Sequence, residues 1–342
     1  MTSLYPLRFQ PLFRRYLWGG RRLESILGKT LPPGTDYAES WEVVDHGPDQ
    51  SCVAQGPLQG MTLADLLATA PRELLGHDLA KCLPIRPSSE SAVAAKSNLR
   101  PAFPLLLKFL DAQQNLSVQV HPDDARAARR IPPDLGKTEA WVILHAAPGA
   151  VVYAGLKRGF DRPALEREVR RGTTPLCLHQ WAPQPGDCLF IPAGTVHALG
   201  AGLLVAEIQQ SSDTTYRLYD WDRVGPDGKP RHLHIDEALE AIDYQAGPVA
   251  PQTPRPTDRP FVERLVACAQ FVLERWTIAD AVDLGGDGKF RLATVLQGAV
   301  EVAGDVAPAP LRRGQSMLFP ASLGPVRLLP VERAVLLVAR LP

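Results

Sequence analysis

The sequence predicts a mainly β chain folded as two small β-barrels, with a few short helices capping the first. Three observations carry this. Prolines number 33 and glycines 27, so turns are frequent and long helices few. Apolar and polar residues alternate over short runs, the period of a strand. One pattern also occurs twice, as "PGDCLFIPAGTVH" (Pro185 to His197) and "RGQSMLFPASLGP" (Arg313 to Pro325). Each copy has a glycine, five residues, then a proline: Gly186 to Pro192, and Gly314 to Pro320. The first copy ends in a histidine and the second does not. The simplest consequence is two similar barrels, the first with a site and the second without.

The elements follow in order. "AESWEVVDH" (Ala38 to His46) reads as a strand with Trp41 and Val43 on one face. "TLADLLATAPRELLG" (Thr62 to Gly76) reads as a helix, with Thr62 as N-cap, a stripe of Leu63, Leu66 and Leu67, and Gly76 as the stop. Residues 83 to 104 are rich in Pro and Ser and read as a long loop or a cap. "FPLLLKFLDA" and "LSVQVHP" give two strands around a turn at 113–115, and "DDARAARR" (Asp123 to Arg130) a short helix. "EAWVILHA" and "AVVYAGL" are strands, and "DRPALEREVRRG" (Asp161 to Gly172) is a helix closed by glycine. A strand follows from Leu203 to Gln209. The proline-rich stretch 246–260 reads as a linker, and strands resume from Phe261 to Pro342. The division is therefore 1–245, with a helical and loop insertion near 62–104, then the linker 246–260, then a terminal barrel at 261–342.

Composition narrows the function. Lys+Arg and Asp+Glu are each 37 and no long basic tract occurs, which excludes nucleic acid or an anionic membrane as the main partner. The five cysteines are scattered and form no C-x-x-C, which argues against a disulfide framework or a thiolate zinc site and fits a reducing compartment. No stretch reaches the ~18 apolar residues of a membrane span. A cytoplasmic protein is expected. No pattern encodes oligomeric state; a monomer is favoured.

Three stretches carry candidate chemistry. In "LSVQVHPDD", Ser117, Gln119 and His121 share one strand face and Leu116, Val118 and Val120 the other. The polar face points either into a cavity or into water. In "GKTEAW", Glu139 opens an apolar strand, with Lys137 two residues earlier. A solvated strand end is the alternative there. In "QPGDCLFIPAGTVHALG", the glycine starts a strand, the proline ends its ladder, and Gly194 tolerates the turn that returns His197 inward. Elsewhere, "RHLHIDEA" places His232 and His234 on one strand face, read as structural support, and His46, His77, His145 and His179 are read as surface or packing residues. "GGDGK" (Gly285 to Lys289) is a hairpin-type turn, since no GK[ST] helix start follows.

The Gly-x5-Pro-x-Gly-x2-His pattern resembles the second motif of the cupin superfamily, and Gln119-Val120-His121 occupies the place of its usual His-x-His. The usual nearby Glu is displaced: the next suitable carboxylate, Glu139, lies 18 residues on. The ordered set Q-V-H, K-T-E, P-A-G-T-V-H and "EIQQSSDTTYRLYDWDR", with "WGGRRL" and "ESWEV" near the start, resembles the type I phosphomannose isomerase family in its short bacterial form. The resemblance implies two cupin-type (jelly-roll) barrels, the terminal one without metal ligands. It implies one Zn2+ per chain held by Gln119, His121, Glu139 and His197, although these ligand types would also accept Fe(II), Mn(II) or Co(II). It implies interconversion of a hexose 6-phosphate pair, mannose 6-phosphate and fructose 6-phosphate, through an enediol(ate).

The same resemblance gives Arg217 to charge stabilisation or substrate holding, Lys137 and Glu207 to proton transfer or substrate orientation, and Ser117 to phosphate binding. The sequence leaves the general base open between Lys137 and Glu207. Without the resemblance, Arg217 would be read as pairing with Asp213, Asp220 or Asp222, and Glu207 as a salt bridge on the barrel wall. Two rival readings remain: a cupin metalloenzyme of another kind, on another sugar phosphate or activating O2 with Fe(II), and a sugar-binding cupin without turnover. Lys137 and Arg217 argue against the oxygenase, which has no need of that cationic pair.

Overall fold

A computed structural model describes residues 3–82, 84–85, 100–225 and 228–342. The chain is mainly β, with antiparallel sheets and short helices. The first barrel is a pair of sheets. One has six strands in the order Cys188–Ile191, Glu139–Ala146, Leu203–Gln210, Leu105–Ala112, Tyr37–Val43 and Leu12–Gly20. The other has five, in the order Leu178–Trp181, Val152–Leu156, His197–Leu199, Val118–Val120 and Tyr216–Tyr219.

Alternation along these strands explains the packing. Trp141, Ile143, Leu203, Val205 and Leu110 point inward and meet Val152, Ala154 and Leu199 of the facing sheet. Their neighbours Ala140, Val142, Leu204, Ala206, Ile208, Leu107 and Phe109 point outward. That outward face is covered by the terminal barrel, through Phe271, Leu273, Leu292, Leu337 and Ala339, and by the insertion helices, through Leu63, Leu66, Leu67, Leu74 and Leu75. This six-stranded sheet is thus buried on both sides.

The terminal barrel pairs a six-stranded sheet, running from Arg255–Pro256 to Ser316–Phe319, with a four-stranded one. Its interior is filled by Trp276, Ile278, Leu284, Val300, Met317, Leu328 and others. The two copies of the sequence repeat become Cys188–Ile191 and Ser316–Phe319, each the edge strand of its six-stranded sheet. Gly186 and Gly314 open them at φ +96° and +76°, which only glycine takes freely. The N-terminus joins the terminal barrel: Leu7 and Leu318 exchange backbone hydrogen bonds, and Arg8 pairs with Asp305 at 2.5 Å. Residues of the 246–260 stretch lie along the first barrel, with Val249 N donating to Ala154 O and Gln252 N to Cys188 O.

Several local expectations change. Trp41 and Val43 do not share a face. Trp41 stands opposite Lys108 and Val43 opposite Leu107, so two residues advance against one and the strand bulges between them. Trp41 packs with Leu106, and Val43 joins the interbarrel cluster. The helix from Thr62 splits at Pro71 into Leu63–Thr69 and Pro71–Leu75, with the expected Thr62 cap completed as a capping box by Asp65. The Asp123 helix is shorter, Asp124–Ala127. His232 and His234 are not on a strand; His234 precedes the helix Ile235–Ala241. Most of the 83–104 stretch lies outside the described residues, and its flanks Pro84–Ile85 and Arg100–Pro101 pair with each other. The five cysteines are all free thiols. Among the described residues, no helix is long and apolar enough to cross a membrane.

Candidate active site

Strand register assembles the site as two facing rows. Across the six-stranded sheet, Leu189, Trp141, Glu207, Lys108 and Trp41 are successive cross-strand partners. One step along, Ile191, Glu139, Gln209 and Leu106 form the next inward row. Across the five-stranded sheet, Ala154, His197, Gln119 and Arg217 form the opposing row. The rows enclose a cavity of about 260 Å³ lined by Ser117, Gln119, Lys137, His197, Glu207 and Arg217 among others.

At one end, His121, Glu139 and His197 bring their ligand atoms within 4.8 Å of one another, and all three are buried. Each imidazole has a fixed orientation. His121 Nδ1 donates to Thr214 O at 3.0 Å and His197 Nδ1 to Thr195 O at 2.8 Å, which leaves both Nε2 lone pairs facing the cluster. His197 Nε2 lies 3.3 Å from Glu139 Oε1, and His121 Nε2 lies 3.5 Å from Glu139 Oε2. The amide of Gln119 reaches His197 Nε2 at 3.4 Å, and Ser117 Oγ donates to Gln119 Oε1 at 3.2 Å.

Lys137 stands against this group. Its Nζ donates to Glu139 Oε2 at 2.6 Å and to His121 Nε2 at 2.9 Å. Glu139 Oε1 and Glu207 Oε1 are buried without a hydrogen-bond donor. Two imidazole lone pairs, a carboxylate with an orphaned oxygen and a neutral amide fit a divalent cation such as zinc.

The electrostatics agree. Burial, and then the Lys137 charge, push His121 down to about 3; burial also lowers His197. Both imidazoles are neutral, the state a metal ligand needs. Burial alone would raise Glu139, but the adjacent Lys137 ammonium outweighs it and holds the carboxyl well below its usual range. Glu207 goes the other way: burial, then the charge of Glu139, raise it to about 7.

Arg217 has none of the three carboxylate partners considered from sequence. Asp220 is taken by Arg223 and Arg231. Arg217 Nη1 instead donates to His232 O at 2.9 Å, its backbone N donates to His234 Nδ1 at 3.3 Å, and its buried Nε has no acceptor. His232 and His234 thus serve as supports for this arginine. Burial, then the charge of Arg231, lower the Arg217 pKa.

Sequence reasoning missed part of the site. Lys108 is buried in the same cavity, 3.3 Å from Glu207 and 3.5 Å from Glu39. Burial opposes its charge, but Glu207 and Glu39 outweigh this and raise its pKa. Trp141 Nε1 donates to Glu207 Oε2 at 3.0 Å, and Trp41 Nε1 to Glu39 Oε2 at 2.5 Å. The available signal was a single lysine at an inward position of the apolar run "PLLLKFL". His46, read as a surface or packing residue, pairs with Asp134 at 3.2 Å. Asp134 also accepts from Ser212 Oγ and Thr214 Oγ1, and so holds the segment whose carbonyl orients His121.

Comparison with known proteins identifies the family of the chain. Residues 6–138 match the family described as phosphomannose isomerase type I, catalytic domain. The chain is 34% identical to mannose-6-phosphate isomerase ManA of Bacillus subtilis, over 94% of this chain and 95% of that protein. It is 33% identical to mannose-6-phosphate isomerase of Streptococcus mutans, over 93% of each. The crystal structure of mannose 6-phosphate isomerase from Bacillus subtilis superposes with a TM-score of 0.83 at 29% identity, covering 98% of this chain and 99% of that one. With relatives of this similarity matched over more than nine-tenths of their length, the chain belongs to the type I phosphomannose isomerase family.

Proposed function

We propose that this protein is a metal-dependent aldose–ketose isomerase that interconverts mannose 6-phosphate and fructose 6-phosphate, with one zinc ion per chain. The observation that carries the reading is the meeting of Lys137, Glu139 and Glu207 with two lone-pair-facing histidines in one buried cavity. Gln119, His121, Glu139 and His197 would hold the metal. When bound, it supplies Lewis-acid polarisation of sugar oxygens.

The chain's own groups supply the rest. The reaction moves the C2 proton of the aldose to C1, while the proton of the C2 hydroxyl passes to the C1 oxygen. Glu207, fixed by Trp141 and flanked by Lys108 and Lys137, is placed to carry the carbon proton with Lys137. Arg217 brings a guanidinium to the negative charge that develops on the enediolate. Ser117 offers its hydroxyl to substrate.

Residues 1–245 form the catalytic domain in this reading, 246–260 the linker, and 261–342 a barrel without ligands that backs the first. We place the protein in the cytoplasm, where unpaired cysteines stay reduced.

The test couples fructose 6-phosphate formation to a reporter, before and after chelation and zinc return. Activity lost to chelator and restored by zinc is the expected result. His197→Ala should lose the metal; retention of one equivalent would refute the ligand set. Zinc-loaded protein with no turnover would refute the substrate and lead to other sugar phosphates, then to the binding-protein reading.

A further inference from the structure

Lys137 and Glu139 lie two residues apart but are held by different means. Glu139 opens its strand and has a ladder neighbour on each side, Ile191 and Gln209. Lys137 precedes that strand, yet it is buried and its Nζ reaches Glu139, His121 and Glu207. A buried side chain on a segment outside the ladder needs another anchor.

Gln210 supplies one. Its backbone N donates to Thr138 O at 3.2 Å, and its side-chain Oε1 accepts from Thr138 N at 3.0 Å. One glutamine thus closes both backbone polar groups of the residue after Lys137. The other end of the same amide, Nε2, donates to Asp124 Oδ1 at 2.9 Å. That oxygen also accepts from Gly136 N at 2.9 Å, on the residue before Lys137. Gly136 lies so close to the Asp124 backbone that a Cβ would stand 2.5 Å from Asp124 N. Lys137 N itself donates to Pro122 O at 3.0 Å. Gln210 and Asp124 therefore clamp the chain on both sides of Lys137.

Only an amide fits this place as it stands. It must accept from Thr138 N and donate to Asp124. A glutamate would set a second carboxylate against Asp124, and a methionine of similar length would do neither. Gln210 is buried and does not line the cavity, so it acts through Lys137 rather than on substrate.

We propose that Gln210, backed by Asp124, is a positioning residue for Lys137, fixing the root of that side chain while the strand ladder holds Glu139. The role of Lys137 in proton transfer rests on the isomerase reading; the clamp itself does not.

The experiment compares zinc-loaded wild type and Gln210→Met by zinc content, steady-state kinetics on mannose 6-phosphate and amide hydrogen exchange. A misplaced proton-transfer group should lower kcat roughly 10- to 100-fold with KM within about threefold. Zinc content should not change. The amides of Gly136 to Thr138 should exchange ~10-fold faster or more, while those of Glu139–Ala146 keep their protection. Asp124→Ala, at an exposed residue, removes only the far end of the clamp and should act in the same direction more weakly. It is read in place of Gln210→Met if that variant does not fold. Gln210→Glu alone should be impaired, and adding Asp124→Asn, which exchanges donor and acceptor, should recover much of the lost kcat.

Unchanged kcat or unchanged exchange at 136–138 in a folded Gln210→Met would overturn the inference. So would a fall in kcat that comes with loss of zinc or with faster exchange across the whole sheet, since Gln210 would then be a general support. If zinc-loaded wild type turns over no sugar, the isomerase reading fails and exchange alone decides: selective release of 136–138 upholds the clamp, and its absence overturns it.

Discussion

The ammonium of Lys137 lies 2.6 Å from Glu139 Oε2, beside the buried cluster of His121, Glu139 and His197. It also reaches His121 Nε2 at 2.9 Å, so a lysine and a metal compete for the same lone pairs. On the proposed ligand set, a bound metal would displace this side chain from those lone pairs, and Glu207 Oε1, 3.8 Å away, is a carboxylate it can turn to.

Lys137→Met therefore separates metal binding from chemistry. The variant should hold about one equivalent of zinc, with affinity equal to or tighter than wild type. Its kcat should fall by ~100-fold or more, as for loss of a proton-transfer group. Metal analysis with the coupled assay checks both; loss of zinc would show that the lysine supports the ligands rather than competing with them.

Trp141 contributes through one N–H. Trp141→Phe removes the donor to Glu207 Oε2 but keeps an aromatic ring against His197, whose centroid lies 5.2 Å away. A hydrogen bond to a charged group of about 1.5–3 kcal/mol corresponds to a loss of roughly tenfold or more in kcat/KM. Zinc content should not change. An unaltered kcat/KM would mean that Lys108 and Lys137 hold Glu207 without help.

The His46–Asp134 pair gives stability a pH window. The hydrogen bond to Asp134 raises His46 above 6.5, so its contribution is full below 6.5 and fades as pH rises through the shifted value. Burial pushes Asp134 up, but His46 and Thr214 outweigh it and bring it to about 2; its contribution is full above 3.8 and fades as acid approaches 2. Thermal melts of wild type and His46→Gln should differ most between about pH 4 and 6.5 and converge as pH rises through the raised His46 value. A constant difference across that range would rule out titration as the cause.

The terminal barrel should be needed for folding. Ending the chain at residue 260 uncovers Phe109, Val142, Ala206 and Ile208 by removing Phe271, Phe290, Leu292 and Leu337, among others. Each large side chain lost from the cluster removes about 1.5–3 kcal/mol of burial. The fragment is expected to be insoluble or to bind a hydrophobic dye; a soluble, cooperatively melting and active fragment would refute this role.

Local patterns made much of this legible. The Gly186–Pro192–Gly194–His197 spacing, the polar face of Ser117, Gln119 and His121, and the inward Glu139 each follow from the period of a strand or the needs of a turn. What stayed hidden depends on register between distant strands. Lys108 meets Glu207 only because their two strands align at that residue, and Glu39 joins them from a third strand. The bulge near Trp41 and the 88-residue separation of His46 from Asp134 leave no periodic trace. The histidines at 232 and 234 misled because His-x-His spacing looks the same on a strand and on the approach to a helix.

Along Glu139–Ala146 and Leu203–Gln210, residues that face the cavity side alternate with residues that pack toward the terminal barrel. Glu139 sits beside Ala140, and Glu207 between Ala206 and Ile208. A one-residue insertion in either strand would turn chemistry outward and grease inward in a single event. Phe271 and Leu337 of the terminal barrel pack in the same cluster as Ala206 and Ile208, the neighbours of Glu207, so changes there reach the sheet that carries it. The packing of the terminal barrel is therefore tied to the sheet that lines the cavity.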